Sequence, residues 1–238
     1  MDPASAPTSL SEQSQRFASA TQATLAGVLP GNHVIVSRQA ETTHRFIVQP
    51  ENRAKIPLLV AGDHLADLEV SFFLDLDRTG TWLKVVRSDF SVHSVLTRTP
   101  LLRLEYRSDM NSAPISHWQV HAERGALSHL LARAHEHNPR LVSKPHDLSS
   151  LHLPVGGERF RPCLEDVLQF VVHDCGVDSL AGWEQVVTEG RESWRRLQLR
   201  SSIRDLQVDA AAELESLGWT VIPPSSVPED HAEPFRTW

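Results

Sequence analysis

The sequence predicts an α+β protein in which helices pack on a mainly antiparallel β-sheet (a meander), with a helical segment at the C-terminal end. Short apolar or β-branched runs, separated by Gly, Pro and polar residues, occupy the chain from about residue 33 to residue 122. Helical periodicity replaces them after Gly125. Connections between successive strands are short, which implies antiparallel neighbours. Strands followed by helices are typical of an α+β fold.

The composition is that of a globular chain able to bury a core. Its 238 residues are 40% hydrophobic, and 23 Lys and Arg against 30 Asp and Glu give a net charge of −7. This balance disfavours wrapping of nucleic acid by the whole surface. No window has the roughly 18–20 apolar residues that span a bilayer, and the first residues lack the features of a secretory signal. We therefore expect a cytoplasmic protein with no membrane partner.

Four parts follow one another along the chain. We expect a disordered tail over residues 1–15, an α+β domain over 16–176, a helical extension packed on it over 177–222, and a loose tail over 223–238. The domain begins with a short helix over 16–28. The strands are predicted at 33–36, 44–48, 56–60, 69–77, 81–86, 91–96, 101–106, 115–122 and 151–155.

The helices of the second half are indicated by apolar periodicity. One is predicted over 126–136, and a stronger one follows Pro162 and ends at Gly176. Cys163 and Cys175 fall in this second helix about 18 Å apart, too far for a disulfide, and are interpreted as free and buried. Residues 179–217 are predicted as a long helix broken near Gly190, followed by an edge strand over 219–222.

Eight of the thirteen histidines lie between residues 117 and 173, and the strand over 117–123 carries two of them. Alternation turns Trp118, Val120 and Ala122 towards the core. The other side is a polar row with about 6.6 Å between neighbours, formed by His117, Gln119, His121 and Glu123. This row is either the solvent-exposed face of an antiparallel sheet or an acid–base site.

In the acid–base interpretation, His121 is the base, Glu123 orients it, His117 is a further catalytic candidate, and Gln119 binds substrate. The H-x-x-x-H spacing suits zinc only on a helix, because on a strand the two residues are about 13 Å apart. A metal would then need partners such as His152 or His93. We therefore predict no metal and no cofactor.

Two groups of arginines are candidates for binding an anion. Arg161 is the expected anion clamp of the acid–base site, with Arg159 and His152 as binding residues. Five arginines between residues 191 and 204 form a basic stripe, in which Arg196 and Arg200 are candidates to contact RNA or an acidic partner. The alternative is an ordinary salt-bridged helix face, because Glu192 lies four residues before Arg196.

Two stretches carry a resemblance to known proteins: residues 106–125, with His117-Trp118-Gln119-Val120-His121, and residues 149–168, with Gly156-Gly157-Glu158-Arg159. They resemble uncharacterised proteins from actinobacterial genomes and mobile elements. More remotely, the plan over residues 65–175 is similar to TumE-type proteins of toxin–antitoxin loci, with His152-Leu153-Pro154 in place of consecutive histidines.

We consider two functions beside this resemblance. The first is an effector of a toxin–antitoxin or defence locus that acts on RNA or a nucleotide, with the polar row as its active site. The second is a non-catalytic antitoxin or adaptor, which binds a protein partner from the same locus through the C-terminal helices. A third possible function is a ligand-binding module on the concave face of the sheet. Its one support is the predicted sheet itself.

Overall fold

The computed structural model describes residues 9–111, 113–121 and 153–237, together with positions 132, 135, 136, 140 and 144. The strands are β1 (Ile35–Gln39), β2 (Phe46–Pro50), β3 (Ile56–Val60), β4 (Asp63–Leu76), β5 (Leu83–Ser94), β6 (Pro100–Arg107), β7 (Ser116–Val120) and β8 (Leu153–Pro154). The helices are α1 (Leu10–Val28), α2 (Gly157–Phe160), α3 (Leu164–His173), α4 (Trp183–Asp205), α5 (Gln207–Ser216) and α6 (Glu233–Arg236).

The strands form one antiparallel sheet in the order β1-β2-β4-β5-β6-β7-β8. β4 is long enough to pair with β2 near its C-terminal end and with β3 near its N-terminal end. The predicted α+β class with a mainly antiparallel sheet is therefore confirmed. Neighbouring strands are joined by short turns from β3 to β6, as a meander requires.

Helix α1 begins at Leu10, so the prediction of disorder through residue 15 is wrong for its last residues. Ser9 and Glu12 form a capping box: the Ser9 hydroxyl accepts from the Glu12 amide at 3.2 Å, and the Glu12 carboxylate accepts from the Ser9 amide at 3.0 Å. The first turns also bind the sheet, since the Gln13 side chain bridges the Thr81 carbonyl and the Leu83 amide. Residues 1–8 of the predicted tail lie outside the described chain.

The core lies between one face of the sheet and helices α1, α3 and α4. Strand alternation places Val70, Phe72 and Leu74 on this face, as the sequence predicts. Phe72 joins α1 to the sheet, because its ring lies 4.9 Å from that of Phe17 and 5.3 Å from that of Phe90. Both contacts are edge-to-face, the favoured geometry for aromatic pairs.

The long C-terminal helix breaks at Leu206, and the predicted break at Gly190 is wrong. Leu206 has φ −128° and ψ 69°, which separates α4 from α5 by one residue. Gly190 lies inside α4 against α3, where an added Cβ atom would come within 2.5 Å of the Glu165 carboxylate. The glycine therefore permits close approach of two helices. No strand forms over residues 219–222, which corrects a further prediction.

Three smaller predictions are also revised. The runs over 81–86 and 91–96 belong to one strand, β5. Cys163 precedes α3 and is buried, whereas Cys175 follows the helix and is exposed, contrary to expectation. The helix predicted over 126–136 lies almost entirely outside the described residues. Within the described chain, no helix combines the length and apolar character that crossing a membrane requires.

The turn between β3 and β4 yields a test of backbone strain. Val60 pairs with Asp63 across a two-residue loop in which Ala61 has φ 52° and Gly62 has φ 84°. Both loop residues are therefore left-handed, as in a type I′ turn, for which Asn-Gly is the favoured sequence. The Asp178 carboxylate accepts hydrogen bonds from both loop amides, at 3.0 and 2.7 Å.

We expect Ala61→Asn to raise the free energy of unfolding by about 0.5–1 kcal/mol, because Asn tolerates the left-handed conformation better than Ala. Gly62→Ala is expected to lower it by about 1–2 kcal/mol. No atom lies within 4 Å of a Cβ added at Gly62, so that cost is conformational alone. Urea unfolding of the two variants measures both changes, and equal effects at the two positions would contradict this account of the turn.

Candidate functional site

The polar row predicted on β7 is not exposed where β7 lies in the sheet. His117 has an exposed fraction of 0% and Gln119 of 8%, so the expectation of a solvent-exposed face is wrong at these two residues. On the opposite side, Trp118 packs towards the core with its ring 6.1 Å from that of Phe170, as predicted. Val120 is 49% exposed, so the apolar stripe of β7 reaches solvent at its end.

Both ring nitrogens of His117 lie near polar atoms of the same chain. Its Nδ1 lies 2.7 Å from the Pro114 carbonyl oxygen, which can only accept, so Nδ1 carries the proton. Its Nε2 lies 3.5 Å from Oε2 of Glu105, the residue opposite it on β6. This contact pairs the imidazole of β7 with a carboxyl group of β6. The hydrogen bond from His117 lowers the pKa of Glu105 below its ordinary value, against the effect of burial.

The row continues from β7 across the sheet through residues of other strands. Glu105 is directly opposite Asp89 on β5, and Asp89 is directly opposite Ser71 on β4. Arg87 donates to Asp89 at 2.6 Å, and the Ser71 hydroxyl donates to it at 3.4 Å. We call Ser71, Asp89, Glu105 and His117 the cross-strand row.

The two carboxyl groups of the cross-strand row have pKa values shifted in opposite directions. Burial raises the pKa of Asp89, and the neighbouring Glu105 carboxylate adds to the increase. The pKa of Glu105 is lowered, mainly by His117. Opposite pKa shifts in neighbouring acids are the pattern by which acid–base chemistry divides roles between two carboxyl groups. The side chains of both acids keep about one fifth of their surface exposed, 21% for Asp89 and 22% for Glu105.

Sequence reasoning missed Asp89 and Glu105. The available signal was the alternation of polar residues along β5 and β6, which places every second side chain on the outer face. Alternation alone does not say which residues of different strands are opposite one another. That information comes from the register, which brings Asp89 and Glu105 together from positions sixteen residues apart.

The opposite shifts predict opposite effects of neutral substitutions on stability. A raised folded-state pKa means that Asp89 contributes stability below its unfolded pKa and loses it as pH rises, so Asp89→Asn should stabilise the protein at pH 7. A lowered pKa means that Glu105 contributes stability above its unfolded pKa and loses it as pH falls. Glu105→Gln should therefore destabilise the protein at pH 7, by about 1–3 kcal/mol.

Urea unfolding between pH 4 and pH 7 measures both effects. The two variants should converge on the wild-type stability as pH falls through the carboxyl pKa values. The same sign for both substitutions at pH 7 would contradict the opposite directions of the two pKa shifts.

Of the predicted base and its orienter, the structure describes the base, His121. His121 follows β7, and its amide donates to the Leu101 carbonyl at 3.0 Å. Glu123, its expected orienter, and His152 lie outside the described residues. Their roles stay predictions.

Arg159 and Arg161 lie inside the protein rather than at a solvent-facing anion site. Arg159 donates from Nε to the Asp205 carboxylate at 2.8 Å and lies 3.0 Å from that of Glu158. The Glu158 carboxylate also pairs with Lys84 of β5 at 3.1 Å. Burial opposes ionisation of Glu158, but Lys84 and Arg159 outweigh it and hold the pKa below its ordinary value. The charge of Arg159 is thus matched by carboxylates of the same chain.

Arg161 lies between two aromatic rings. Its guanidinium carbon is 3.9 Å from the ring centre of Tyr106 and 4.9 Å from that of Trp194, and the group donates to the Glu158 carbonyl. Burial lowers the pKa of Arg161 and raises that of Tyr106 to about 12. Cation–π contacts of this kind are strongest away from water. In the described chain, Arg161 therefore joins β6 to α4, and its role as an anion clamp stays a prediction.

Arg196 and Arg200 are exposed on the outer side of α4. Glu192 accepts from Arg196 at 2.8 Å, the ion pair that their spacing predicts. Two apolar residues lie beside these arginines: Leu199 is 59% exposed and Ile203 is 46% exposed. We call the set formed by Arg195, Arg196, Leu199, Arg200 and Ile203 the α4 surface.

The chain beyond α4 leaves the body of the protein and returns to the same place. Residues 206–230, which we call the C-terminal arm, start after Asp205, and the His231 amide donates to the Asp205 carbonyl at 2.7 Å. Helix α5 lies in this arm and buries none of its residues. After the arm, α6 packs on α2, with the rings of Phe235 and Phe160 6.4 Å apart.

Two shallow grooves on the described surface lie away from the cross-strand row, one along residues 39–44 and one between residues 31–34 and 50–57. No group of three or more His, Cys, Asp or Glu side chains with metal-binding geometry occurs among the described residues. Comparison with protein-family models, with curated proteins and with solved structures gave no match. The resemblance to TumE-type proteins therefore stays a prediction.

Proposed function

We propose that this protein is a non-catalytic adaptor that binds a protein partner through the α4 surface. The observation that carries the proposal is the exposure of Leu199 and Ile203, one helical turn apart, among arginines. Exposed apolar side chains bordered by arginine are typical of protein interfaces, where arginine is enriched. The burial of His117 supports the same choice, because a fully buried ring does not contact a substrate.

The α4 surface selects for an acidic, amphipathic partner segment. Arg196 already pairs with Glu192, whereas Arg195 and Arg200 have no carboxylate partner within the part of the chain that the structure describes. Guanidinium groups stay charged at any physiological pH and bind carboxylates with two parallel hydrogen bonds. The partner expected from these features presents two apolar residues flanked by Asp or Glu. A product of the same locus is the partner that the resemblance implies.

Co-expression with the products of the neighbouring genes tests the proposal. The full chain carries an affinity tag, and co-purification is compared for the wild type and for a variant with Arg195→Glu and Arg200→Glu. The variant should retain at least tenfold less partner, because like charges across an interface cost several kcal/mol. The control reverses two exposed arginines elsewhere, Arg16→Glu and Arg98→Glu, and should retain the partner like the wild type.

Two results contradict the adaptor proposal. One is that no neighbouring product co-purifies with the wild type. The other is equal retention by the α4 variant and the control variant. Retention of RNA in place of a protein would also contradict the adaptor proposal.

A second candidate, a toxin-like effector acting on RNA or a nucleotide, is favoured by one observation. The cross-strand row brings two carboxyl groups, whose pKa values are shifted in opposite directions, next to an imidazole on adjacent strands. Asp89 would donate a proton and Glu105 would accept one, with His117 orienting Glu105 from below the surface.

Growth arrest on expression tests the effector candidate. Asp89→Asn and Glu105→Gln keep the shape of the row and should abolish the arrest, whereas the control Arg98→Glu should not. In the same assay, His121→Ala tests whether His121, the base expected from the sequence, contributes to the growth arrest. An arrest that persists in both carboxyl variants excludes the row from the activity.

A further inference from the structure

We infer that α5 of a second copy of this chain docks on the α4 surface, so that two copies exchange their C-terminal arms. The inference goes beyond the proposed function, since it uses the same α4 surface but names a second copy of the chain as its occupant. Four features of α4 and the arm carry it: charge, apolar pattern, connection length and exposure.

The charges of the two helices are complementary. Residues 195–204 of α4 contain four arginines and no acidic residue. Residues 207–216 of α5 contain three acidic residues, Asp209, Glu213 and Glu215, and neither lysine nor arginine. Arg204 faces inward, with its guanidinium 5.1 Å from the ring centre of Trp82, and the other three arginines face solvent. The segment that the α4 surface selects for is thus present in the chain itself.

The apolar pattern of α5 also fits this role. Ala210, Leu214 and Leu217 follow one another at helical spacing, and the two leucines are 41% and 67% exposed. Asp209 and Glu213 lie along one side of this stripe. Beyond the helix, Trp219 is 67% exposed and would extend the apolar contact. Two leucines flanked by carboxylates match Leu199 and Ile203 flanked by arginines.

The connection between the helices prevents α5 from docking on its own α4. One residue, Leu206, joins them, whereas an antiparallel helix pair needs a loop of about two to five residues. Every residue from 212 to 220 is exposed, so no described residue covers the end of α5. An isolated helix of ten residues is marginal in water, because helices below about 12–15 residues lack enough hydrogen bonds to offset nucleation. A neighbouring molecule supplies the missing contact.

Two-fold symmetry makes the contact closed and reciprocal. In such an interface, each residue pair occurs twice, so α5 of each copy meets α4 of the other. In the dimer, each of the two basic α4 surfaces meets one of the two acidic α5 helices, so that every one of these surfaces is paired. Exchange of an element with exposed residues costs little rearrangement.

Sedimentation velocity of the full chain and of two charge-reversed variants tests the inference. One variant carries Arg195→Glu and Arg200→Glu on α4, and the other carries Asp209→Lys and Glu213→Lys on α5; all four positions are exposed, so both variants should fold. The wild type should be dimeric. Each variant alone should dissociate with a dissociation constant raised about 10–100-fold.

An equimolar mixture of the two variants is the decisive sample. In the mixed dimer each α5 meets an α4 of opposite charge, so the mixture should form heterodimers while neither variant forms homodimers. The control variant with Arg16→Glu and Arg98→Glu should dimerise like the wild type. A monomeric wild type, unchanged dimerisation of the two variants, or a mixture that stays monomeric would each overturn the inference.

The outcome of this experiment can be distinguished from the outcome of the test of the adaptor function. A monomeric wild type that still retains a neighbouring gene product through the α4 surface overturns arm exchange and leaves the adaptor in place. A dimer with the expected charge dependence that retains no such product overturns the adaptor and leaves arm exchange in place.

Discussion

Asp205→Ala is expected to lower the free energy of unfolding by about 3–5 kcal/mol, because it leaves the guanidinium of Arg159 buried without its main partner. Asp205 is 6% exposed and closes an ion cluster that joins α2 to the end of α4. Removing one member of a buried pair costs far more than removing both, since the remaining charge loses its compensation. Urea unfolding measures the loss as a lower transition midpoint.

Two controls distinguish burial from ion pairing as such. The double replacement Arg159→Met with Asp205→Leu should recover most of the loss, because apolar side chains of similar size substitute well for a buried pair. Glu192→Ala removes the carboxylate of an exposed pair with Arg196, whose side chains are 60% and 67% exposed, and should cost less than about 1 kcal/mol. A cost at Asp205 no greater than that at Glu192 would refute the buried-cluster account.

Phe72→Ala should be the most damaging substitution in the apolar core, at about 3–5 kcal/mol. Phe72 is 5% exposed and contacts the rings of Phe17 on α1 and Phe90 on β5. The substitution leaves a cavity and removes two aromatic pairs, each worth about 0.5–1.5 kcal/mol beyond the buried area.

The adjacent residue is the matched control. Phe73 points to the opposite face of β4, half-buried, with the guanidinium of Arg87 5.0 Å from its ring centre. Phe73→Ala should cost about 1 kcal/mol, mainly through loss of this cation–π contact. Comparing the two variants by urea unfolding tests the assigned faces of β4. Equal losses would show that the faces are assigned incorrectly.

Local patterns predict the elements of this fold well, and long-range pairing explains most of what they miss. The alternation around Phe72 predicts both the strand and its buried face. The capping box at Ser9 and Glu12 was readable in the sequence, but the Ser-rich and Pro-rich composition before residue 16 pointed to disorder. Gly190 resembles a helix break from local propensity, whereas its small size serves a contact with Glu165 on another helix.

The candidate site depended even more on pairing between distant residues. Periodicity on β7 identified His117 and its face, but not the strands that pair with it. Glu105 and Asp89 became candidates only through the register of β5, β6 and β7. Similarly, Arg159 is predicted to bind an anion because local patterns do not reveal that Asp205, 46 residues away, is its carboxylate partner. The helical period does not show that the chain breaks at Leu206.

The chain returns to Asp205 after the C-terminal arm. The length of the arm therefore has little effect on the stability of the rest of the protein. The two ends of residues 206–230 meet at one hydrogen bond, and α6 is anchored to α2 independently of what lies between. The entropy of closing a loop grows slowly, by about 0.6 kcal/mol for each doubling of its length. We therefore expect that insertions, deletions or a different docking helix between Leu206 and His231 would leave the sheet folded.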